Sequence, residues 1–490
     1  MLRKLRFILF PVLNLTGSVL MAFAGLMIVP LIISLSFRDG ADFAFTTGAV
    51  TTFLAGLLLF VSTRSYKREL IGRDGFLLAT IIWSAVPLFA AIPLYLNLEE
   101  ISFTLAYFEA MSGTTTTCAT VLTGLDNLPA SINFWRCFLS WLGGMGILVL
   151  AVAILPLLGV GGAQIFKAEA SGPMKESRLT PRISDTAKGL WWIYAAFTVA
   201  CCFSYIATGM SNFDAVIHSF TTVSLGGFSS HDSSFGYWNS GEIESVAIFF
   251  MVLCGTSFSL HFLAIRKRSF LPYLKNPEFW GWIASVVVVT GLVCWILLEQ
   301  KTYTDWTEAL RHSAFNVISI ISTTGYCDTD YNVWPTAAPM LMMVTACFAS
   351  CGGSTGGGIK MLRALLIVKE VWREFLLLLH PKAIRPITIG EYPVNERVVF
   401  QALAYTQLWM IFTVLASLVM MASGLDIVTA TSAIVACVTN IGPGLANVGP
   451  ASTFAGLSAP QLWLCSFCML LGRLEMMTVF VLFSRSFWRT

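Results

Sequence analysis

Ten apolar stretches divide the 490 residues of this chain, near 7–37, 45–63, 76–96, 132–160, 189–208, 243–265, 280–298, 337–350 with 361–379, 398–422 and 461–484. Roughly 20 apolar residues let one helix cross a hydrocarbon core, where each backbone polar group must find an internal partner. The expected fold class is therefore an all-α polytopic membrane protein. The first stretch is too long for a removable signal peptide and lacks a small-residue cleavage site, so it counts as a helix.

Composition closes off other classes. Apolar residues make up 56% of the chain and charged residues 12%, against about a quarter charged in soluble domains. A soluble enzyme, a disordered chain and a nucleic-acid binder are excluded; a net charge of +3 gives no phosphate-binding footprint. Twelve cysteines are too dilute for a disulfide scaffold. The five histidines form no metal-ligand spacing, and no G-x-S-x-G or H-E-x-x-H motif supports an intramembrane enzyme.

The basic residues give an orientation. Arg3, Lys4 and Arg6 precede the first stretch, and Arg64, Lys67, Arg68 and Arg73 follow the second. Lys167, Lys175, Arg178, Arg182 and Lys188 follow the fourth, and Arg266, Lys267, Arg268 and Lys275 the sixth. With the seven around the broken eighth, and Arg485 and Arg489, one side holds 25 of the 30 lysines and arginines. The positive-inside rule then puts both termini in the cytoplasm.

On the charge-poor side lie four segments too polar to cross and too apolar for open loops. They read Phe108-EAMSGTTTTCATVLTGLD-Asn127, His218-SFTTVSLGGFSSH-Asp232, Phe315-NVISIISTTGYCDT-Asp330 and Ala430-TSAIVACVTNIGPGLA-Asn447. Each is a short helical run ending in a small-residue turn. Anchored on Cys118, Gly226, Gly325 and Gly442, they recur at 108, 99 and 117 residues, an internal repeat. Non-helical backbone at membrane depth must be buried or line a water-filled path. Four such turns about one axis would present carbonyls that replace a monovalent cation's hydration shell.

These segments, with Trp141-LGGMGI-Leu148, Ala153-ILPLLGVGG-Ala163, Gly226-GFSSH-Asp232, Gly352-GSTGGGIK-Met361, Asn440-IGPG-Leu445 and Gly472-RLE-Met476, resemble the superfamily of Trk, Ktr and HKT cation transporters. The likeness is closest to the membrane subunit of bacterial Trk-type potassium uptake and covers essentially the whole chain. It implies four pseudo-symmetric helix–pore-loop–helix repeats around one pore, after an extra N-terminal helix pair. The units would be 1–70, 71–166, 167–270, 271–385 with a gate loop at 350–360, and 386–490. It also implies a homodimer in the inner membrane, docked on a cytoplasmic nucleotide-binding regulatory ring of the RCK/KTN, TrkA-like type, with K+ as the transported ion and no bound cofactor. Carried over by position, the selectivity filter is Thr116, Thr117 and Cys118; Ser224, Leu225 and Gly226; Thr323, Thr324 and Gly325; and Asn440, Ile441 and Gly442. Cys118 departs from the glycine of the pattern, as sodium-permeable members of the superfamily do with serine. Sodium permeation and sodium- or proton-coupled symport therefore stand beside potassium conduction.

The run Gly352, Gly353, Ser354, Thr355, Gly356, Gly357, Gly358 is not a phosphate loop, because Ile359 separates Gly358 from Lys360 and helices flank it. It reads as a break in the second helix of repeat three, and the resemblance implies the intramembrane gate. Arg473, mid-stretch, must face the pore or a partner; Glu475, a snorkelling position and a positive barrier holding the loop are the alternatives. Lys360 and Arg363 follow the loop and either touch it or serve as positive-inside charges. Cys465 and Cys468 pack as small hydrophobes. Glu109, Asp126, Asp232 and Asp328 are expected near the mouth, as cation concentrators or as caps.

Overall fold

The computed structural model describes residues 2–65, 70–99, 101–157, 183–390 and 392–488. Lys67, Arg68, Lys167, Lys175, Arg178, Arg182 and Arg489, the expected boundary at 166/167 and the end of the Ala153–Ala163 motif lie outside these residues. The described chain is helical, apart from a hairpin pairing Thr388–Ile389 with Tyr392–Pro393.

Six described helices are long and apolar enough to cross a membrane: Ile8–Phe37, Asp42–Thr63, Arg73–Asn97, Lys188–Ala207, Pro277–Glu299 and Glu396–Ala422. The first two pack with their backbones nearly touching. A Cβ on Gly17 would lie 2.6 Å from the Gly56 carbonyl oxygen, the small-residue contact typical of helices in lipid.

Two expected spans are not continuous. Gly241–Gly255 and Phe258–Lys267 meet at 89°, and Ala459–Arg473 and Met476–Phe483 at 109°. The third break, between Ala337–Ala346 and Met361–Leu379, falls where the glycine run predicts it. Ala130–Leu157, the corresponding helix of the first unit, is unbroken. A helix break frees backbone groups that need partners, and the glycine-rich loop supplies them at the first. Cys351 N–H donates to the Gly255 carbonyl at 3.1 Å, and Phe258 N–H to the Gly353 carbonyl at 3.0 Å. This tertiary pairing, not a proline, stabilises the bend.

Four short helices complete the arrangement: Phe103–Thr114, Asn212–Ser224, Trp306–Ile321 and Ile427–Thr439. Each starts at a side-chain cap, Ser102, Ser211, Asp305 or Asp426, accepting a backbone N–H of the first turn. All four are too short to cross, and each sits between two other helical segments.

Candidate functional site

The short helices end in the same way. A residue in the left-handed region follows each: Thr116 (φ 52°), Leu225 (φ 54°), Thr323 (φ 63°) and Asn440 (φ 54°). The next N–H, on Thr117, Gly226, Thr324 and Ile441, donates five residues back, to Ser112, Thr221, Ser319 and Ala436, at 2.8, 2.8, 2.8 and 2.9 Å. These are Schellman closures, normally built on glycine. A non-glycine residue in this region costs roughly 1–2 kcal/mol, and such strain persists only where the surroundings fix it. Here it recurs four times.

The chain then turns again, at Cys118 (φ 68°), Gly227 (φ 49°), Gly325 (φ 90°) and Gly442 (φ 105°). The second segment is thus in register on Gly227, one residue beyond the anchor Gly226. Ser224 belongs to the helix end, beside Thr115, Ser322 and Thr439. A Cβ on Gly226 would lie 1.8 Å from Ser140 Oγ, so a side chain there would displace that hydroxyl.

The second turns close a ring. A Cβ on Gly227 would lie 2.1 Å from the Thr324 oxygen, one on Gly325 2.2 Å from the Ile441 oxygen, and one on Gly442 2.5 Å from the Thr117 oxygen. Each strand thus abuts a carbonyl of the next, in the order two, three, four, one. The Cys118 side chain fits because its sulfur lies over Gly227 and Gly325, 3.9 Å from the Gly325 oxygen. Cys118, Gly227, Gly325 and Pro443, one from each segment, line a recess open to solvent.

Seven residues before each left-handed position, the short helix reaches across to the chain leaving the turn. Glu109 accepts from Thr120 Oγ1 and Val121 N–H at 3.0 and 2.9 Å, and from buried Arg136 Nε at 2.7 Å. His218 Nε2 meets Ser229 Oγ at 3.0 Å, and Asn316 Nδ2 bonds Asp328. In the fourth segment Ala433 holds this place and its neighbour Ser432 accepts from Leu445 N–H at 2.9 Å. Glu109 is fully buried and cannot concentrate ions at the mouth, and buried Asp328 is held by Asn316 and His312. Asp126 stays half exposed and bonds His231, whose Nε2 lies 3.6 Å from Asp214. Burial works against charge on His231, but the neighbouring carboxylates of Asp214 and Asp126 outweigh it and raise its pKa above 6.5.

On the other side of the ring lies the glycine-rich loop. Thr355 Oγ1 donates to the Val223 carbonyl at 3.2 Å, and Gly357 N–H to Thr323 Oγ1 at 2.8 Å. A Cβ on Gly357 would lie 2.0 Å from the Thr439 oxygen, and one on Gly356 3.0 Å from the Ser322 oxygen. The loop therefore underlies the ends of three short helices. Arg473 ties it to the first unit, donating to the Thr355 carbonyl at 2.8 Å and the Gly143 carbonyl at 3.1 Å. No carboxylate pairs with Arg473 among the described residues; Glu475 holds Arg363, at 2.7 and 2.8 Å. Arg473 is thus a buried cation balanced by carbonyl dipoles, with Nε unpartnered. Lys360 Nζ bonds the Gly356 carbonyl. The buried Glu278 carboxylate accepts from Gly352 N–H at 2.6 Å and Leu362 N–H at 3.2 Å, gripping both ends of the loop.

Sequence reading missed Gly227, Glu278 and the Thr323 contact. The glycine-then-aromatic pairs Gly227-Phe228 and Gly325-Tyr326 carry the register, whereas nothing local marks Glu278.

Known proteins share this arrangement along its length. The family profile "TrkH: Cation transport protein" matches residues 41–489. The Halomonas elongata Trk system potassium uptake protein TrkH is 44% identical over 483 residues, covering 98% of this chain and 99% of that protein. The Escherichia coli K12 protein of the same description is 39% identical, over 97% of this chain and 98% of its own. The crystal structure of the potassium transporter TrkH from Vibrio parahaemolyticus superposes with a TM-score of 0.89, at 36% identity, over 98% of this chain and all of that one.

Proposed function

The chain belongs to the TrkH family of cation transport proteins, and from this we propose that it is a gated pore for potassium uptake. The family is one of transporters and not of enzymes. The filter is Thr116-Thr117-Cys118, Leu225-Gly226-Gly227, Thr323-Thr324-Gly325 and Asn440-Ile441-Gly442, whose carbonyls take the place of the ion's water. The observation that carries this reading is the ring: four Schellman-closed turns, each abutting the next, with a loop seated directly beneath them.

The loop 352–358 is the gate. Arg473 holds it shut through the Thr355 carbonyl and, with no carboxylate partner among the described residues, opposes a cation passing inward. The units are the N-terminal pair 1–70 and repeats 71–166, 167–270, 271–385 and 386–490. The charge asymmetry supports cytoplasmic termini in a bacterial inner membrane. Assembly is as a homodimer on a cytoplasmic nucleotide-binding ring that controls the gate. The membrane potential supplies about 2.3 kcal/mol per charge per 100 mV, enough for roughly fifty-fold accumulation with no coupled ion.

Flux into proteoliposomes with potassium or sodium as sole cation tests the reading. Potassium flux well above sodium, raised by Arg473→Ala without the ring, is the expected result. Equal flux of both ions would assign the pore to sodium-permeable transport. That alternative is the weaker one, because Cys118 keeps the left-handed turn (φ 68°) that the glycine would supply.

A further inference from the structure

Of the four left-handed residues at the base of the filter, Thr116, Leu225, Thr323 and Asn440, only Thr323 has its side chain hydrogen-bonded to the gate loop among the described residues. Leu225 offers no polar atom and is buried among apolar side chains. Thr323 Oγ1 accepts the loop's Gly357 N–H at 2.8 Å, with both residues in the buried interior. Asn440 Nδ2 donates to Thr117 Oγ1 at 2.9 Å and to the Met469 carbonyl at 3.0 Å. Met469 lies one turn before Arg473, whose guanidinium holds the same loop at Thr355. The loop thus reaches the filter directly through repeat three and indirectly through repeat four.

A threonine hydroxyl oxygen is the kind of group that can help coordinate a cation at the inner end of the filter. Here the positive end of a peptide N–H already takes one of its two lone pairs. A cation and that N–H carry the same sign of charge toward one oxygen in a low-dielectric site, so they compete. We propose that Thr323 is a positioning residue that sets seating of the gate loop against cation occupancy of the filter's inner end, so that each weakens the other. The inference rests on the filter and gate assignments above. By thermodynamic reciprocity, whatever factor the seated loop takes from cation affinity, the cation takes from loop seating. The permeant ion then loosens its own gate. One net hydrogen bond corresponds to about a fivefold change in the equilibrium constant for seating.

Hydrogen exchange of the 351–360 amides in the purified full-length protein, in potassium against N-methyl-D-glucamine, reads this directly. In the parent, potassium should speed exchange of the loop by about fivefold, one net hydrogen bond. Thr323→Val removes the acceptor at nearly constant shape; its loop should exchange fast in both solutions, with no response to potassium. Thr323→Ser should restore the response. Thr323→Ala, which also lacks the acceptor and needs no extra space, carries the test if the valine variant fails to insert. Slowed or unchanged exchange in the parent, or an intact response in Thr323→Val, overturns the proposal. Gly325→Ser and Arg473→Ala flux in proteoliposomes separates this from the reading beneath it. If both alter flux while potassium leaves the loop unchanged, only the coupling is wrong. If neither alters flux, the filter and gate assignments fall, and the proposal with them.

Discussion

Repeats one and three build the same turn from different chemistry. In repeat one a cysteine stands at the second left-handed position, and a buried ion pair, Glu109 with Arg136, braces the chain leaving it. In repeat three the position is Gly325 and the brace is Asn316 with Asp328. The second helix of repeat one runs unbroken, whereas that of repeat three opens into the loop beneath the ring. The backbone hydrogen bonds closing the two turns are both 2.8 Å. The lesson is that the closure is the invariant; side chains diverge wherever the four units meet different neighbours.

Breaking the brace of repeat one should have the largest effect. Glu109→Ala leaves Arg136 as an uncompensated buried charge, which costs about 3–5 kcal/mol. Thermal unfolding of the purified variant should show a large loss or no folded protein. Asn316→Ala should cost less, because no arginine is stranded. Equal losses would show that the ion pair does nothing special in repeat one.

Moving the cysteine comes next. In the exchange Cys118→Gly with Gly325→Cys, the new side chain would meet the Ile441 oxygen at 2.2 Å and Pro443 Cδ at 2.9 Å. Both are fixed atoms, so potassium flux should fall at least tenfold. Cys118→Gly alone should keep flux and raise the potassium-to-sodium ratio, since a strain of about 1 kcal/mol is relieved. If the exchanged protein conducts like the parent, the two positions are equivalent and the asymmetry is incidental.

The smallest effect lies at the mouth, where Asp126 of repeat one bonds His231 of repeat two. Because the folded His231 has its pKa raised above 6.5, its stabilisation is complete below pH 6.5 and fades as pH rises through the raised value. The loss is at most about 1 kcal/mol, since Asp126 is open to solvent. Melting temperature should decline slightly above neutral pH, and His231→Gln should flatten that slope. A steeper slope in the variant would place the titrating group elsewhere.

Much of this was legible in the sequence. The four short segments, the loop and Arg473 announce themselves through small residues and an isolated charge in apolar surroundings. The register of the second segment does not, because Gly226 and Gly227 are neighbours and only the folded backbone, with Gly226 N–H bonded to Thr221 and Gly227 left-handed, distinguishes them. The bends at 256–257 and 474–475 were also hidden. Neither carries a proline, and the first exists because a loop nearly a hundred residues later pairs with its free backbone groups. Glu109 looked like a mouth charge because its partner Arg136 lies beyond the turn, in the next helix.

Glu278 grips the loop at Gly352 and at Leu362, so neither end is free to swing. Such a tether can only buckle in the middle, and it explores a small volume when displaced. Short loops close on a scale of about 10–100 ns, far faster than any large rearrangement of packed helices. If this loop is the gate proposed above, the pore rests shut when left alone, and an open interval lasts only as long as something outside the loop keeps force on it.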